Sequence, residues 1–244
     1  MQQVQGFVVL LDISGYTRFI RSHNIRHVPV IGKEFRKASE AHGEQVVTDL
    51  LETLLNATSD ILRPEKLEGD AILMSAVPDD QAEFARTLVS RLQVVFRVFH
   101  ERIRDIAFCT TCLCDCCSKM GELKVKAIAH HGPFLIKQVA SFREIAGQEI
   151  IRAHRLLKNS VDSNEYLMLT EPVVRLADAE TTLSMQAHEE EDPDLGTTKV
   201  WVHFPENHSA LDEDLPESYL KQRGKMRAYF REQRDREALI PAAK

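Results

Sequence analysis

The chain has 244 residues, of which 43% are hydrophobic, and a formal net charge of −6 at pH 7. This length and composition can form one substantial hydrophobic core, while the negative charge argues against broad nucleic-acid binding, which needs a basic face. No apolar run approaches the length of a membrane span, and the N-terminus enters a predicted strand directly instead of a signal peptide, so we expect a cytoplasmic protein.

The first predicted element is a strand that delivers a carboxylate into a glycine turn. Residues 7–11 are all apolar, which predicts a strand buried on both faces. Asp12 follows them directly, and a carboxylate placed there is expected to be paired or to coordinate a cation if it stays charged. Beyond it, residues 14–17 turn the chain into a predicted helix, whose free backbone amides would face a phosphate.

A second carboxylate lies at a predicted hairpin tip. Residues 67–70 interrupt the apolar pattern and residues 71–74 resume it, which predicts a hairpin with Asp70 at its tip. Two carboxylates from adjacent strands are the oxygen ligands that Mg²⁺ or Mn²⁺ ions holding a triphosphate require, so Asp12 and Asp70 predict a metal site. The alternative is that each aspartate caps a helix or a turn.

Alternating helices and strands are predicted along the rest of the domain. Apolar residues recur at helical spacing in two long segments, and the second of these forms an amphipathic stripe that would cover a sheet. The predicted helices are 32–56, 80–106 and 147–158, and the predicted strands are 123–129, 134–139, 166–170 and 198–204.

The C-terminal segment differs in composition from the part before it. Acidic residues and helix breakers collect at 205–216, and residues 217–239 form a highly charged predicted helix. This helix would be solvated, packed on its own domain or a dimer partner, or in contact with an acidic partner or a membrane surface. We therefore predict a domain at 1–204, followed by a linker and helical tail at 205–244.

Four segments together resemble the class III nucleotidyl cyclase homology domain. The pattern of that family is a strand with Asp-Ile-x-Gly-Phe/Tyr-Thr and later Lys-x-x-Gly-Asp, which residues 12–17 and 66–70 match. Residues 130–136 (HHGPFLI) look like its central hairpin, and residues 144–156 resemble the start of its Asp-x-x-Gly-x-x-Val-Asn-x-Ala-x-Arg helix. Four landmarks in the family order argue against chance agreement. The EGDAIL segment, the short-spaced cysteines and the AHRLLKN segment are similar to an uncharacterised bacterial branch of that superfamily.

The resemblance implies an α+β, ferredoxin-like fold in which helices pack on a mainly antiparallel sheet. It implies a phosphorus–oxygen lyase that uses two Mg²⁺ or Mn²⁺ ions per site to convert ATP or GTP into a 3′,5′-cyclic nucleotide and pyrophosphate. It also implies a homodimer whose two active sites are each shared between the subunits. The site residues that it implies are Asp12, Ile13 and Asp70 for metal binding, Ser14, Gly15, Tyr16, Thr17, Lys66 and Glu144 for nucleotide binding, and Arg155 for catalysis.

Two departures from the family pattern bear on activity. Ile151 stands where the family has an asparagine that orients the ribose, and an apolar side chain cannot supply that hydrogen bond. The lysine expected to contact the triphosphate before the last strand is missing. Residues 190–194, expected to form a loop in that region, are mostly acidic and would repel a triphosphate unless the loop points away.

Three of the implied residues leave alternatives open. Glu144 replaces an aspartate of the family and has a longer side chain, so the preferred purine base is open. Lys66 is also compatible with a surface lysine on a strand, and Arg155 with a helix arginine paired to a local acid.

All five cysteines fall within residues 109–117. With no secretory signal, this clustering favours a soft metal or reduced redox thiols over disulfides. Three of the cysteines match those of the bacterial branch, and a fourth lies nearby, so we hypothesise a structural zinc site formed by Cys109, Cys112, Cys114 and Cys117. Unliganded thiols, or capture of a metal during purification, are the alternatives. His130 and His131 lie a strand's length away from this loop and are expected near the cleft in a structural role.

Three functions are compatible with these patterns. The first is a metal-dependent purine nucleotide cyclase. The second is a binding module that kept the metal and base contacts but lost turnover, and acts as a nucleotide sensor or regulatory partner. The third is a zinc or redox protein in which the cysteine loop is the operative site. Ile151 favours the second over a standard cyclase, whereas Asp12, Asp70, Lys66 and Arg155 argue against simple degeneration of the site.

Overall fold

The computed structural model describes residues 1–21, 33–109, 119–182 and 184–206. The predicted C-terminal helix at 217–239 lies outside the described residues, as do three of the four zinc-ligand cysteines, Cys112, Cys114 and Cys117. Cys109 is the last residue of a helix. The zinc hypothesis and the boundary near residue 205 therefore stay predictions.

The chain divides into two compact units. The first contains residues 1–14, 51–99 and 124–206, and the described part of the second contains 15–21, 33–50, 100–109 and 119–123. All described strands belong to the first unit. The helices are α1 (Tyr16–Arg21), α2 (Lys33–Asn56), α3 (Gln81–Cys109), α4 (Gln148–Arg155), α5 (Glu171–Leu176) and α6 (Ala179–Thr182), with short 3₁₀ turns at Met120–Glu122 and Leu156–Lys158.

Eight strands form one sheet in the first unit. They are β1 (Gln2–Ser14), β2 (Arg63–Glu68), β3 (Ala71–Ala76), β4 (Lys124–Val139), β5 (Phe142–Ala146), β6 (Tyr166–Thr170), β7 (Gln186–Asp192) and β8 (Gly196–His203). The order is β2-β3-β1-β4-β6-β8-β7, and β5 pairs with the far half of β4. Only the β4–β6 pair is parallel, so the predicted α+β fold with a mainly antiparallel sheet is confirmed.

Helices pack on both faces of this sheet because β1 is apolar on both. Phe7 lies on the face covered by α3, where its ring centroid is 5.0 Å from that of Phe84. Val8 lies on the opposite face, in a buried cluster with Ile150 and Ala153 of α4. The alternation of side chains along β1 therefore separates an α3 face from an α4 face. Asp12 is four residues after Val8 and lies on the α4 face.

One strand prediction was wrong. The expected break at residues 130–133 does not occur, because β4 runs continuously from Lys124 to Val139 and pairs with β1 from Lys124 to Ile136, including Gln5 with Pro133. The other edge of β4 explains why a proline is tolerated in its middle. There β6 pairs with residues 126–129 and β5 with residues 135–139, so Pro133 faces no strand that needs its missing N–H. The hairpin is instead formed by β4 and β5.

The remaining differences are small. The predicted helices at 32–56, 80–106 and 147–158 correspond to α2, α3 and α4 with its 3₁₀ extension. The sequence did not predict β7, whose acidic residues were expected in a loop, nor the short helices α5 and α6. None of the described helices combines the length and the apolarity that crossing a bilayer would require.

Candidate active site

Asp12 and Asp70 meet at one end of the sheet. Asp12 lies opposite Ala71 in the β1–β3 ladder, and the backbone N–H of Ile13 donates a hydrogen bond of 3.0 Å to the carbonyl oxygen of Asp70. The β2–β3 turn is possible because Gly69 has φ +68°, so Asp70 lies at the hairpin tip as predicted. Burial, and then the nearby charge of Asp70, raise the pKa of Asp12 to about 6.

Lys126, which the sequence motifs did not single out, lies close to this pair of carboxylates. Lys126 lies directly opposite Asp12 in the β1–β4 ladder, and its charge partly offsets the rise in the pKa of Asp12. Its ammonium nitrogen is 5.5 Å from the centre of the Tyr166 ring, a cation–π distance. The signal was present in the sequence, because Lys124 and Lys126 alternate with buried Val125 and so mark a charged row on one face of an otherwise apolar strand.

The donor set suits a hard divalent cation bound together with a polyphosphate. Two like-charged carboxylates held close together raise each other's cost of ionisation, and a cation between them removes that cost. Among the described residues, no three or more histidine, cysteine, aspartate or glutamate side chains are grouped as a metal site. The chain would therefore supply two carboxylates and leave the other positions to backbone, water and phosphate oxygens, as is usual for Mg²⁺.

The residues after Asp12 fall in both units. Ser14 ends β1 and is buried opposite Lys124. Gly15, Tyr16 and Thr17 belong to the second unit, where Gly15 has φ +91° and the Tyr16 hydroxyl donates a hydrogen bond of 2.9 Å to Glu44. The predicted turn from a strand into a helix is therefore present at this point.

Lys66 and Glu144 lie within electrostatic reach of one another, but each has a nearer partner. Lys66 Nζ is 2.9 Å from Glu68 Oε1, and the hydrogen bond and charge of Glu68, together with the charge of Glu144, raise the pKa of Lys66. Glu144 Oε2 is 3.0 Å from the ammonium nitrogen of Lys137. The strands that carry the pair, β2 and β5, are also joined by the ion pair Arg143–Glu65. Lys66 thus provides a hydrogen-bond donor, and Glu68 and Glu144 provide acceptors, on the neighbouring strands β2 and β5.

The helix α4 presents Ile151 and Arg155 outward. They are four residues apart and share a face, and the residue Ile151 is 52% exposed while the side chain of Arg155 is 53% exposed. Arg155 makes two long ion pairs, at 3.8 Å to Asp192 and 3.5 Å to Asp194. Within a single chain, Arg155 is therefore paired with local acids, which is the alternative considered for it above.

The acidic run at 190–194 is engaged within the fold. Glu190 is buried and accepts hydrogen bonds of 2.9 Å from the backbone N–H and the hydroxyl of Ser160. Asp192 accepts hydrogen bonds from the backbone N–H groups of Asp194 and Leu195, at 2.9 Å and 3.0 Å, and so fixes the turn between β7 and β8. These contacts hold the turn beside α4, where its charge counters Arg155.

Solved structures with the same architecture are known. The adenylyl cyclase CyaB of Pseudomonas aeruginosa superposes with a TM-score of 0.57 at 12% identity, covering 85% of this chain and 97% of that one. A bacterial light-regulated adenylyl cyclase gives 0.54 at 12% identity, covering 93% of this chain and 99% of the other. A class III adenylyl cyclase-like ATP-binding protein from P. aeruginosa gives 0.55 at 13% identity, covering 85% of this chain but 40% of that protein. The chain has the class III nucleotidyl cyclase homology fold.

Sequence relatives of this cyclase-fold chain carry no stated activity. Residues 47–166, just under half of the chain, match the family described as a protein of unknown function, DUF2652. An uncharacterised protein of Mycobacterium tuberculosis is 30% identical over 132 residues, which are 54% of this chain and 60% of the relative. These relatives fit the expected uncharacterised branch of the superfamily.

Proposed function

We propose that this chain is a metal-dependent nucleotide-binding protein that converts a purine nucleoside triphosphate into a 3′,5′-cyclic nucleotide and pyrophosphate. The observation that carries the proposal is the meeting of Asp12, Asp70 and Lys126 at one end of the sheet. Paired carboxylates beside an ammonium group suit divalent cations and a phosphate chain.

The chain's own groups divide the work by position. Asp12 and Asp70 would hold two Mg²⁺ or Mn²⁺ ions, which when bound supply Lewis-acid chemistry and charge neutralisation. Lys126 is placed to bind phosphate oxygens from the side opposite Asp70. On the purine, Lys66 would donate a hydrogen bond to the base edge and Glu144 would accept one. Arg155 would stabilise the charge that develops as the 3′-hydroxyl attacks the α-phosphate and pyrophosphate leaves.

A homodimer with shared active sites is part of this proposal. In one protomer Arg155 and Ile151 point outward from α4, away from the sheet face on which that helix packs. A second copy related by a two-fold axis would bring the α4 helix and the Lys66–Glu144 pair of one subunit to the carboxylates of the other. The subunit interface would then complete two equivalent sites.

The test is incubation of the purified chain with Mn²⁺ and each of the four nucleoside triphosphates. We expect a purine nucleotide to yield a cyclic product and pyrophosphate, both read by mass, and Asp12→Asn and Asp70→Asn each to lower the rate at least about 100-fold. The exposed Asp162 is a matched control, because Asp162→Asn removes the same charge away from the site. Product formation that survives in the double variant Asp12→Asn/Asp70→Asn would refute the metal assignment.

A second function, nucleotide sensing without turnover, is favoured by two specific observations. Ile151 offers the ribose no hydrogen bond, and Arg155 is already paired with Asp192 and Asp194. One structural neighbour is described as a cyclase-like ATP-binding protein, so binding without a named reaction has a precedent in this fold.

Ile151→Asn distinguishes the two functions. An amide at this position restores a group that can orient a ribose, so we expect the cyclic product to rise about tenfold over a weak wild-type level if the pocket is otherwise that of a cyclase. Ile151→Val is the control, because it keeps an apolar side chain of similar shape. A fast wild-type enzyme that is slowed by Ile151→Asn would show that the alignment of this helix is functionally wrong.

A further inference from the structure

A buried polar network crosses the sheet beneath α4. His130, in the middle of β4, is 2% exposed, and its Nδ1 is 2.9 Å from the hydroxyl oxygen of Thr170 at the end of β6. The other ring nitrogen, Nε2, is 2.7 Å from Oε2 of Glu149 in the first turn of α4. A carboxylate only accepts hydrogen bonds, so Nε2 carries a proton and donates it. Burial lowers the pKa of His130, so at neutral pH Nδ1 accepts a hydrogen bond from the Thr170 hydroxyl.

The same carboxylate oxygen also binds an arginine of the helix. Arg152 Nε donates to Glu149 Oε2 at 3.1 Å, and its Nη1 donates at 2.7 Å to the hydroxyl of Thr198 in β8 and at 3.4 Å to the carbonyl oxygen of Leu195. Glu149 is therefore the junction of a network that joins α4 to β4, β6 and β8. The side chains of Glu149 and Arg152 are 21% and 17% exposed, so water competes weakly for these bonds.

The side chain of Glu149 fits against β4 because the residue beside it, Gly132, has no side chain. At Gly132 of β4, an added Cβ would lie 2.9 Å from Cγ of Glu149. Any other residue at this position would push the carboxylate away from His130. The close approach of α4 to β4 and the hydrogen-bond network thus depend on the same contact.

Thr170, His130 and Glu149 are linked in that order by hydrogen bonds, and these are the residue types of a hydrolytic triad. The burial of Thr170 excludes that chemistry. Thr170 is 0% exposed, so no substrate can reach its hydroxyl. A buried network that performs no chemistry has another use, which is to hold rigid elements in one arrangement.

We infer that Glu149 is a positioning residue, which through His130 and Arg152 fixes α4 on the sheet and thereby sets the position from which Arg155 reaches the ligand phosphates. This inference rests on the proposed function. Arg155 lies one turn after Arg152, and within the described part of the chain its side chain is held by the two long ion pairs to Asp192 and Asp194. A shift of about 1 Å in a group that contacts the reacting atoms can cost about 100-fold in rate. The hydrogen bonds that hold α4 on the sheet therefore affect the rate through the position of Arg155.

The test is a double-mutant cycle between Glu149 and Arg155, measured as kcat/KM with Mn²⁺ and the preferred nucleoside triphosphate. Glu149→Gln keeps the shape and an acceptor oxygen for His130 but removes the charge that binds Arg152. We expect it to lower kcat/KM at least about tenfold in the wild-type background. In the Arg155→Ala background the same change should lower it less than about twofold, because a group that acts only through Arg155 has nothing left to position.

Two further variants keep the test specific. Glu171→Gln is the matched control, since Glu171 is a helical glutamate that binds Arg175 at 2.9 Å outside this network, and it should leave kcat/KM unchanged. Thr170→Val removes the hydrogen bond at the far end of the network with little change in shape, and it should lower kcat/KM in the same direction as Glu149→Gln but less.

The outcomes separate this inference from the proposed function. If Glu149→Gln slows the enzyme equally in both backgrounds, or not at all, the positioning role is refuted while the function stands. If the wild type binds the metal–nucleotide complex without turnover, the same cycle on Kd decides the matter, with the same two results. If the wild type neither binds nor converts any of the four nucleotides, both are refuted.

Discussion

Asp12→Asn is expected to make the metal-free protein more stable at pH 8, by about 3 kcal/mol in the free energy of unfolding. Burial and the charge of Asp70 raise the pKa of Asp12 from 3.8 to about 6 in the folded chain. An acid whose pKa is raised by folding binds more protons in the folded state, so stability falls as the pH rises through this window. Above pH 6, the folded wild-type protein carries a partly buried negative charge at Asp12, which asparagine does not have.

Chemical denaturation between pH 4 and pH 8 measures this effect. The wild-type free energy of unfolding should fall relative to that of Asp12→Asn from about pH 4 to about pH 6, and the difference should then stay constant. Adding Mn²⁺ with nucleotide should reverse the ranking, because a ligand that binds only the folded wild type raises its stability by mass action. Parallel curves for the two proteins would show that Asp12 is not destabilised by its surroundings, and Asp162→Asn controls for the general loss of an acidic residue.

The features that the sequence could predict are those whose signals are local along the chain. Asp12 follows five apolar residues and Asp70 follows a glycine turn, so both carboxylates were found by their local context. The long stripe of α3 and the strand β6 were predicted for the same reason, since hydrophobic periodicity is a local property of the chain. The structure confirms the fold class and the hairpin at Gly69.

What the sequence could not show depends on residues that are distant along the chain. Lys126 becomes part of the site only because the β1–β4 register places it opposite Asp12. Pro133 looked like the end of a strand, but its missing N–H has no cost at a position where β4 lacks a second neighbour. Glu149 and His130 are 19 residues apart and carry no sequence motif that pairs them. In each of these cases the decisive contact is set by tertiary structure and not by the local sequence.

The acidic strand β7 is a further case of this kind. The mostly acidic segment 190–194 was expected to lie in a loop, but its first three residues belong to β7. In the fold only Glu190 turns inward, where Ser160 binds it, while the alternate side chains face solvent. The run is therefore an edge strand whose charge also protects it from pairing with other chains.

Co-expression of two inactive variants should restore activity if the active sites are shared between subunits. Asp12→Asn and Arg155→Ala alone are each expected to lose at least about 100-fold in rate. In a dimer of one copy of each, one site combines both defects, while the other takes Asp12 from the Arg155→Ala subunit and Arg155 from the Asp12→Asn subunit. That second site is intact. Random assembly makes half of the dimers mixed, so the preparation should recover about a quarter of the wild-type rate.

The matched control is co-expression of Asp12→Asn with Asp70→Asn. Both carboxylates of a site come from the same subunit, because Asp12 and Asp70 meet within one chain across the β1–β3 ladder. No mixed dimer of these two variants contains an intact pair, so the rate should stay as low as for either variant alone. Recovery in both mixtures would show that Asp12 and Asp70 of one site can come from different subunits. Recovery in neither mixture would show that Arg155 does not act across a subunit interface. Sedimentation of the same samples then decides between these cases, because a strict monomer at high concentration with nucleotide is incompatible with a shared site.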